Sequence, residues 1–202
     1  MESPDARHAN DLIGSAHVLV AAILSIKHAV LAETAGKNVS FSQLKVLKLI
    51  DLCGSQRVGE VAAFLGVTDA AASKTVECLV QSRYIRRAVG KTDRRDSELS
   101  LAAAGRRLVR EYDASKDDVL RAALQKFDRE EVRRTVAFLD TLTEALVNGP
   151  IKHEGVCLQC RIYLRKRCLF RDAARAGCEY QRRRRSRDVI TPRDPLCLAT
   201  RP

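Results

Sequence analysis

The stretch that decides the fold is VGEVAAFLGVTDAAASKTVECLV, which occupies residues 58–80. Its first part is predicted to be a helix, because four apolar or small residues share one helical face: Val58, Val61, Ala62 and Leu65. Gly66 follows where the chain must turn, and glycine adopts a positive φ without a steric penalty from Cβ. Val67 is predicted to fill this turn. The pattern therefore indicates a short helix that ends in a tight turn.

A second helix is predicted after this turn, over about residues 69–82. Thr68 or Asp69 can begin it as the N-cap by accepting a backbone N–H bond. Val76, Leu79 and Val80 recur with helical spacing, so one face is expected to be buried. A short helix whose other face is polar suits the major groove of DNA. The residues expected to contact DNA here are Thr68, Asp69, Ala70, Ala71, Ser73 and Lys74.

A β-hairpin is predicted directly after the second helix. Residues 84–89 and 97–101 read as its two strands, and the segment between them is polar and contains a turn-forming glycine. Arg94 and Arg95 lie at its tip between two aspartates, whose carboxylates can orient the guanidinium groups. An oriented arginine at a hairpin tip fits a narrow minor groove, where the negative potential is strongest. We therefore expect Arg94 and Arg95 to contact DNA.

These features resemble the MarR family of winged-helix regulators, over about residues 40–147. The resemblance is carried by residues 58–67, Ala72-Ser73-Lys74, Asp93-Arg94-Arg95, and Leu99-Ser100-Leu101 running into Ala104-Gly105-Arg106. It implies a homodimeric, mainly helical protein that binds double-stranded DNA, usually as a repressor that answers a small ligand or an oxidant.

The chain departs from the family pattern at two places. Ala102 stands where threonine is common, so the helix after the hairpin is expected to lack a side-chain N-cap. The second helix of the motif opens on Ala70-Ala71-Ala72, which leaves few side chains for hydrogen bonds to bases. The hairpin and the shape of the DNA are therefore expected to carry more of the sequence readout than usual.

Four further helices are predicted around the hairpin and the helix-turn-helix motif. The first covers about residues 11–35 after a loose start at residues 1–10, and the second begins at the capping box Ser40-x-x-Gln43 and stops at Gly54. Two more follow the hairpin, over about 103–124 and 128–147. The first helix and the last two are long and apolar on one side, so they are predicted to pair two copies. The fold class predicted is mainly α with a small β-wing, a winged helix-turn-helix with long N- and C-terminal dimerisation helices.

The net charge of +11 divides the chain into two parts. Residues 1–149 hold 22 Lys and Arg against 20 Asp and Glu, whereas residues 150–202 hold 14 against 5. A basic wing and a basic tail both favour nucleic acid, because binding to phosphates releases counterions. We therefore predict a winged-helix domain over 1–149 and a basic extension over 150–202, which after residue 180 is an arginine-rich flexible tail.

The extension carries four closely spaced cysteines in the pattern Cys157-x2-Cys160-x7-Cys168-x9-Cys178. Four thiolates within 22 residues suit a tetrahedral metal or an iron–sulfur cluster. Only one Cys-x2-Cys pair is present, which favours an iron–sulfur cluster slightly over zinc. A disulfide switch and inert thiols are the alternatives. Three other cysteines are scattered: Cys53 and Cys78 are predicted to lie in the core, and Cys197 in an unstructured end.

No motif for catalysis is recognised in the sequence. A phosphate-binding loop, a dinucleotide fingerprint, a His-Glu-x-x-His pattern and a nucleophile elbow are all missing, so an enzyme is not expected. The longest apolar run, residues 18–24, is shorter than the ~20 residues that span a bilayer, which favours a cytoplasmic protein without a membrane partner. Of the four histidines, His17 and His28 are expected to be packed or on the surface.

The sequence thus favours a DNA-binding transcription regulator, expected to be a repressor that responds to redox state or metal through its C-terminal cysteines. The alternative is a metal or iron–sulfur redox protein that uses the winged helix for contacts with other proteins. A sequence-specific footprint on DNA, with an affinity that falls steeply as salt rises, distinguishes the first from the second.

Overall fold

Six α-helices and one β-hairpin form the part of the chain that the computed structural model describes, residues 4–89 and 97–147. In chain order they are α1 (Pro4–Ala35), α2 (Phe41–Cys53), α3 (Val58–Leu65), α4 (Asp69–Gln81), β1 (Ile85–Val89), β2 (Ser97–Leu101), α5 (Ala103–Leu124) and α6 (Arg129–Val147). A single 3-10 turn, Gly36–Asn38, joins α1 to α2. The predicted fold class, mainly helical with a small wing, is confirmed.

The first helix begins earlier than the sequence suggested. Residues 1–10 were expected to be a loose start, but α1 already includes Pro4. Proline is well suited to the first helical position, because its φ is near the helical value and the N–H that it lacks would have no partner there. Only residues 1–3 of the expected loose start lie outside the described residues.

Helix α2 lies at the centre of the core. It begins at the predicted capping box, in which the Gln43 N–H donates to Ser40 Oγ at 3.2 Å and the Ser40 N–H donates to Gln43 Oε1 at 2.7 Å. It ends at Gly54, whose φ is 76°. Five of its buried side chains are aliphatic: Leu44, Val46, Leu47, Leu49 and Ile50. An aliphatic core is what a composition with 4% aromatic residues predicts.

The turn between α3 and α4 is closed by backbone bonds. Gly66 has the left-handed φ of 67° that the sequence predicts. The Val67 N–H donates to the Ala62 carbonyl at 3.1 Å. The prediction that the Val67 side chain fills the turn is wrong, because that side chain is 43% exposed. Phe64, which the pattern did not select, is buried instead.

The hairpin has the antiparallel register Ile85 opposite Leu101 and Val89 opposite Ser97. Gln56 forms an isolated antiparallel bridge with Leu99 of β2. Its N–H donates to the Leu99 carbonyl at 3.0 Å, and its carbonyl accepts the Leu99 N–H at 2.8 Å. Ile85, Leu99 and Leu101 are buried, which anchors the base of the wing in the core.

Helix α5 starts where the wing ends and packs closely against it. As predicted, Ala102 is its N-cap and provides no side-chain hydrogen bond. Gly105 lies so near the segment before β1 that a Cβ placed on it would come within 2.3 Å of the Tyr84 carbonyl oxygen. The close approach of α5 therefore requires a residue without a side chain at position 105.

Helices α1 and α6 present apolar surface to solvent. Val18 of α1 is 71% exposed and Phe138 of α6 is 53% exposed. Within the described residues, α6 has no extensive contact with another element. The segment Arg7–Ala35 is long and apolar enough to cross a membrane, and only 11% of its most apolar stretch is buried within the protein. One such helix is weak evidence for a membrane span, since the core helix of a soluble protein and a signal sequence meet the same test.

Gly105→Ala is expected to destabilise the fold by about 2 kcal/mol. The added methyl group would clash with the Tyr84 carbonyl, so either α5 or the wing would have to shift. Gly59→Ala is the matched control. A Cβ at Gly59, also within a helix, would lie 3.9 Å from its nearest neighbour, so that variant should be neutral or gain up to about 1 kcal/mol. Urea denaturation of both variants gives the free energies of unfolding. Equal stabilities would contradict the packing described at Gly105.

Candidate nucleic-acid interface and helix-junction pocket

The exposed side of α4 carries most of the residues predicted to contact DNA. Asp69, Ala70, Ala71 and Lys74 are exposed, and Ser73 is half-buried beside the buried Ala72. Thr68 is the N-cap, since its hydroxyl accepts the Ala71 N–H at 3.3 Å. Asp69 is the first residue of the helix, where a carboxylate is favourable next to the partial positive charge of the helix dipole.

The charge on α4 itself does not favour DNA. Its exposed charged residues are Asp69, Lys74 and Glu77, a net of one negative charge. Cys78 is also exposed, so the prediction that it lies in the core is wrong: positions 76 and 79 face inward, and position 78 is on the opposite side of the helix. Any attraction of this region to phosphate would have to come from residues around α4.

Four exposed arginines lie on the elements that flank α4: Arg57 at the start of α3, Arg83 in the turn after α4, and Arg86 and Arg87 on β1. Arg83 has a φ of 59°, an unfavourable conformation for a residue with a side chain. In the sequence Arg83, Arg86 and Arg87 contributed to the basic charge of the wing region, residues 83–110, but no motif singled out any of the four. Two adjacent arginines on one strand point to opposite faces, and both being exposed shows that the hairpin projects into solvent.

The remaining predicted site residues lie outside the described residues. Arg94 and Arg95 fall in residues 90–96, and the four cysteines, Cys157, Cys160, Cys168 and Cys178, fall in residues 148–202. Their contacts stay predictions. In the part of the chain that is described, no group of three or more His, Cys, Asp or Glu side chains is placed to hold a metal. Cys53 is half-buried against the core, as predicted.

A second feature, which the sequence did not predict, is a pocket where α1, α2 and α5 meet. Four lysines line it: Lys27, Lys45, Lys48 and Lys116. The rest of the lining is Phe41, Leu44 and Tyr112. Two of these lysines are strongly buried, with exposures of 7% for Lys48 and 6% for Lys116. Lysines spaced along three helices show no pattern in the sequence, so only packing reveals them as one group.

The two buried lysines share one carboxylate. Lys48 Nζ lies 2.5 Å from Asp113 Oδ1, and Lys116 Nζ lies 3.3 Å from the same oxygen. Lys116 also lies 3.0 Å from Asp117 Oδ1, on a half-exposed side chain. The contact between Lys48 and Asp113 joins α2 to α5 across 65 residues of sequence.

Burial shifts the pKa of two lysines in the pocket. Burial lowers the pKa of Lys48 below its ordinary value of 10.5, and Asp113 opposes that shift. Burial also lowers the pKa of Lys27, and every neighbouring charge that contributes to this shift belongs to another lysine. On α2 outside the pocket, burial raises the pKa of Asp51, opposed chiefly by Arg106. Burial and the neighbouring lysines thus both disfavour the charged form of Lys27.

None of the histidines in the described residues lines this pocket. His17 and His28 are both exposed on α1, one of the two positions that the sequence allowed. The His28 ring lies with its centroid 4.9 Å from that of Phe41, so it packs at the edge of the α1–α2 contact.

Comparison with solved structures identifies the fold. YusO from Bacillus subtilis is 25% identical, with a TM-score of 0.56 over 71% of this chain and 99% of that one. A MarR family protein from Bacillus stearothermophilus is 16% identical, with a TM-score of 0.62 over 70% and 96%. Streptococcus pneumoniae FabT, solved in complex with DNA, is 21% identical, with a TM-score of 0.57 over 70% and 97%.

These likenesses show that the chain has the winged helix-turn-helix fold found in MarR-family structures. No family model matches the chain, and no curated protein sequence does.

Proposed function

We propose that this protein is a MarR-like transcription regulator that binds double-stranded DNA as a homodimer in the cytoplasm. The observation that carries the proposal is the exposed α4 beside an arginine-bearing hairpin, within a fold shared with transcription regulators and with a protein solved on DNA. Neither the described residues nor the motifs of the sequence suggest a catalytic site, and a binding role accounts for both surfaces described above.

In this proposal α4 enters the major groove, and the wing lies along the adjacent minor groove. The alanines at the start of α4 allow close approach to the bases but supply few hydrogen bonds. Arg83, Arg86 and Arg87 are exposed on the elements that follow α4, and they are proposed to contact phosphates beside the groove. Readout is then shared between Lys74 on the helix and Arg94 and Arg95 at the wing tip.

The homodimer is supported by the apolar surfaces of α1 and α6. Exposed aliphatic side chains occur along both helices, Phe138 adds an aromatic one on α6, and α6 packs extensively on nothing else in the described part of the chain. A second copy would cover these surfaces, and its two-fold symmetry would present two α4 helices to a palindromic site. The same pairing accounts for the apolar character of Arg7–Ala35 without a membrane.

Two sensing elements are proposed for regulation. The first is a small-molecule effector, which the resemblance to MarR-family regulators implies; the cavity between α1, α2 and α5 holds about one water molecule, so these helices would have to separate to admit a ligand there. The cysteines of the extension, Cys157, Cys160, Cys168 and Cys178, are proposed to bind an iron–sulfur cluster or zinc, with a disulfide switch as the alternative. Repression is the expected direction of regulation.

DNA binding is tested by selecting bound sequences from a random duplex library and footprinting the protein on the selected sequences. We expect a two-fold symmetric site with half-sites about one helical turn apart. Lys74→Ala should weaken binding and lower the salt slope by about one, and the double change Arg94→Ala and Arg95→Ala should weaken it more, since both remove phosphate or groove contacts.

Lys126→Ala is the matched control for Lys74→Ala, because it removes the same single charge from the exposed turn between α5 and α6. Binding that has no sequence preference, or that falls equally with Lys126→Ala, would refute the proposed interface.

The dimer is tested by Phe138→Asp, which places a charge on the exposed apolar face of α6. We expect the variant to become monomeric in size-exclusion chromatography with light scattering, because burial of an unpaired carboxylate is unfavourable. Val67→Asp makes a similar change at an exposed apolar residue of the α3–α4 turn and should remain dimeric. A dimeric Phe138→Asp protein would argue against α6 as the interface.

The cysteine site is tested by anaerobic purification with absorption spectra and metal analysis. A cluster should give a brown protein with broad absorption near ~400 nm, lost in Cys160→Ser and kept in Cys197→Ser. Colourless protein with one zinc per chain would show that the site binds zinc and not a cluster. Protein that binds neither, with no change on oxidation, would remove this sensor from the proposal.

A further inference from the structure

The turn between α4 and the wing holds an arginine in a backbone conformation that suits glycine. Among the residues that the structure describes, Arg83 is the one non-glycine residue with a positive φ, at 59°. In this left-handed conformation the Cβ of an ordinary residue lies too close to the following carbonyl oxygen. Glycine is the usual residue at such a helix end, and asparagine occurs less often. Glycine at position 83 would therefore make the fold more stable than arginine does.

Hydrogen bonds on both sides fix the turn in this conformation. The Arg83 N–H donates to the Val80 carbonyl at 2.9 Å, and the Tyr84 N–H donates to the Leu79 carbonyl at 3.0 Å. This pair of bonds is the Schellman motif, which ends a helix on a left-handed residue. The Tyr84 carbonyl accepts the Ala102 N–H at 3.0 Å, so the turn is also tied to the start of α5. The surrounding contacts thus determine the conformation, and the arginine has to adopt it.

The Arg83 side chain does not stabilise the described part of the fold in return. It is exposed, and among the described residues it makes no ion pair or side-chain hydrogen bond. Other arginines do: Arg106 donates to the Leu101 carbonyl at 2.9 Å, and Arg133 pairs with Glu130. Contacts among the described residues therefore do not account for an arginine at position 83.

We propose that Arg83 binds a phosphate of the DNA backbone, and that this contact accounts for an arginine where glycine would be more stable. The inference rests on the proposed function, because it assigns one contact of the proposed DNA complex. In that complex α4 lies in the major groove and the hairpin in the adjacent minor groove. The turn between them has to cross the sugar–phosphate backbone that separates the two grooves. Arg83 is the exposed cation of that turn.

Arg83 is suited to a positioning role at this crossing. A guanidinium group presents its donors in a planar fork that matches phosphate oxygens, and it can donate two bonds at once. The turn is tied to α4 and to the start of α5, so a phosphate held by Arg83 would set how α4 and the wing meet the DNA. Contacts to phosphate fix orientation and carry no sequence information directly. Loss of Arg83 should therefore weaken binding to all sequences by a similar factor.

The effect on stability is tested by urea denaturation of the full-length protein at a fixed protein concentration. Arg83→Gly relieves the backbone strain, so we expect its unfolding midpoint to rise by roughly 0.3 M. Arg83→Lys keeps both the charge and the Cβ, so it should unfold like the unchanged protein. An Arg83→Gly protein that unfolds at the same or a lower urea concentration overturns the proposal.

The effect on binding is tested with the selected duplex and with a scrambled duplex of equal length. Arg83→Asn is added, because asparagine tolerates the left-handed conformation without the flexibility of glycine. We expect Arg83→Gly and Arg83→Asn to bind both duplexes about tenfold more weakly, with a salt slope lower by about one. Arg83→Lys should keep most of the affinity.

Arg129→Asn is the matched control for charge, since it removes the same group from the exposed first residue of α6. It should bind DNA like the unchanged protein. Unchanged affinity in Arg83→Asn, or an equal loss in Arg129→Asn, overturns the proposal.

The contacted phosphate is identified by replacing one phosphate at a time in the selected duplex with a neutral methylphosphonate. At the phosphate that Arg83 binds, the replacement should weaken binding of the unchanged protein about tenfold. It should have no effect on Arg83→Asn, which has already lost this contact. Equal losses in both proteins at every position overturn the proposal.

The footprint separates this contact from the proposed function. A specific footprint together with unchanged binding by Arg83→Asn removes only the contact and leaves the regulator. The lack of a specific footprint for the unchanged protein refutes the regulator, and this contact with it, whatever the stability of Arg83→Gly.

Discussion

Helix α5 can pack against the base of the wing only because position 105 has no side chain. The Tyr84 carbonyl occupies the space that a Cβ would need, so α5 and the segment before β1 meet backbone to backbone. From this contact α5 runs past α2 and α1 and leads to α6, the helix with an exposed apolar face at the end of the described chain. The orientation of the wing, the walls of the lysine pocket and the position of the exposed apolar helix α6 all depend on where α5 lies.

The electrostatic features of the molecule are divided between surfaces. Helix α4 carries one more exposed acid than base, and the arginines around it lie on the turn after α4, on β1 and at the start of α3. A regulator built in this way would use arginines to hold the DNA backbone and leave α4 to fit the groove. The buried charge lies elsewhere, where α2 and α5 meet at Lys48 and Asp113.

Local signals were predicted well, because each depends on residues a few positions apart. The capping box at Ser40 and Gln43, the left-handed turn at Gly66 and the uncapped start of α5 at Ala102 all follow from short-range hydrogen bonding and backbone sterics. Errors arose where the wider environment decides. Val67 is apolar but faces solvent, and Cys78 lies on the exposed side of an amphipathic helix.

The sequence by itself determined the order of the helices, the winged helix-turn-helix motif and the candidate DNA-contacting residues on α4. Helical periodicity and turn chemistry, from which these follow, are local properties of the chain. Only the tertiary structure decided that Lys27, Lys45, Lys48 and Lys116 line one pocket, and that Gly105 is a packing requirement. The lysines come from three helices separated by up to 89 positions, and nothing in their spacing encodes which helices will meet. Such groupings depend on how the apolar faces of whole helices pack, a long-range property that a pattern of neighbours does not contain.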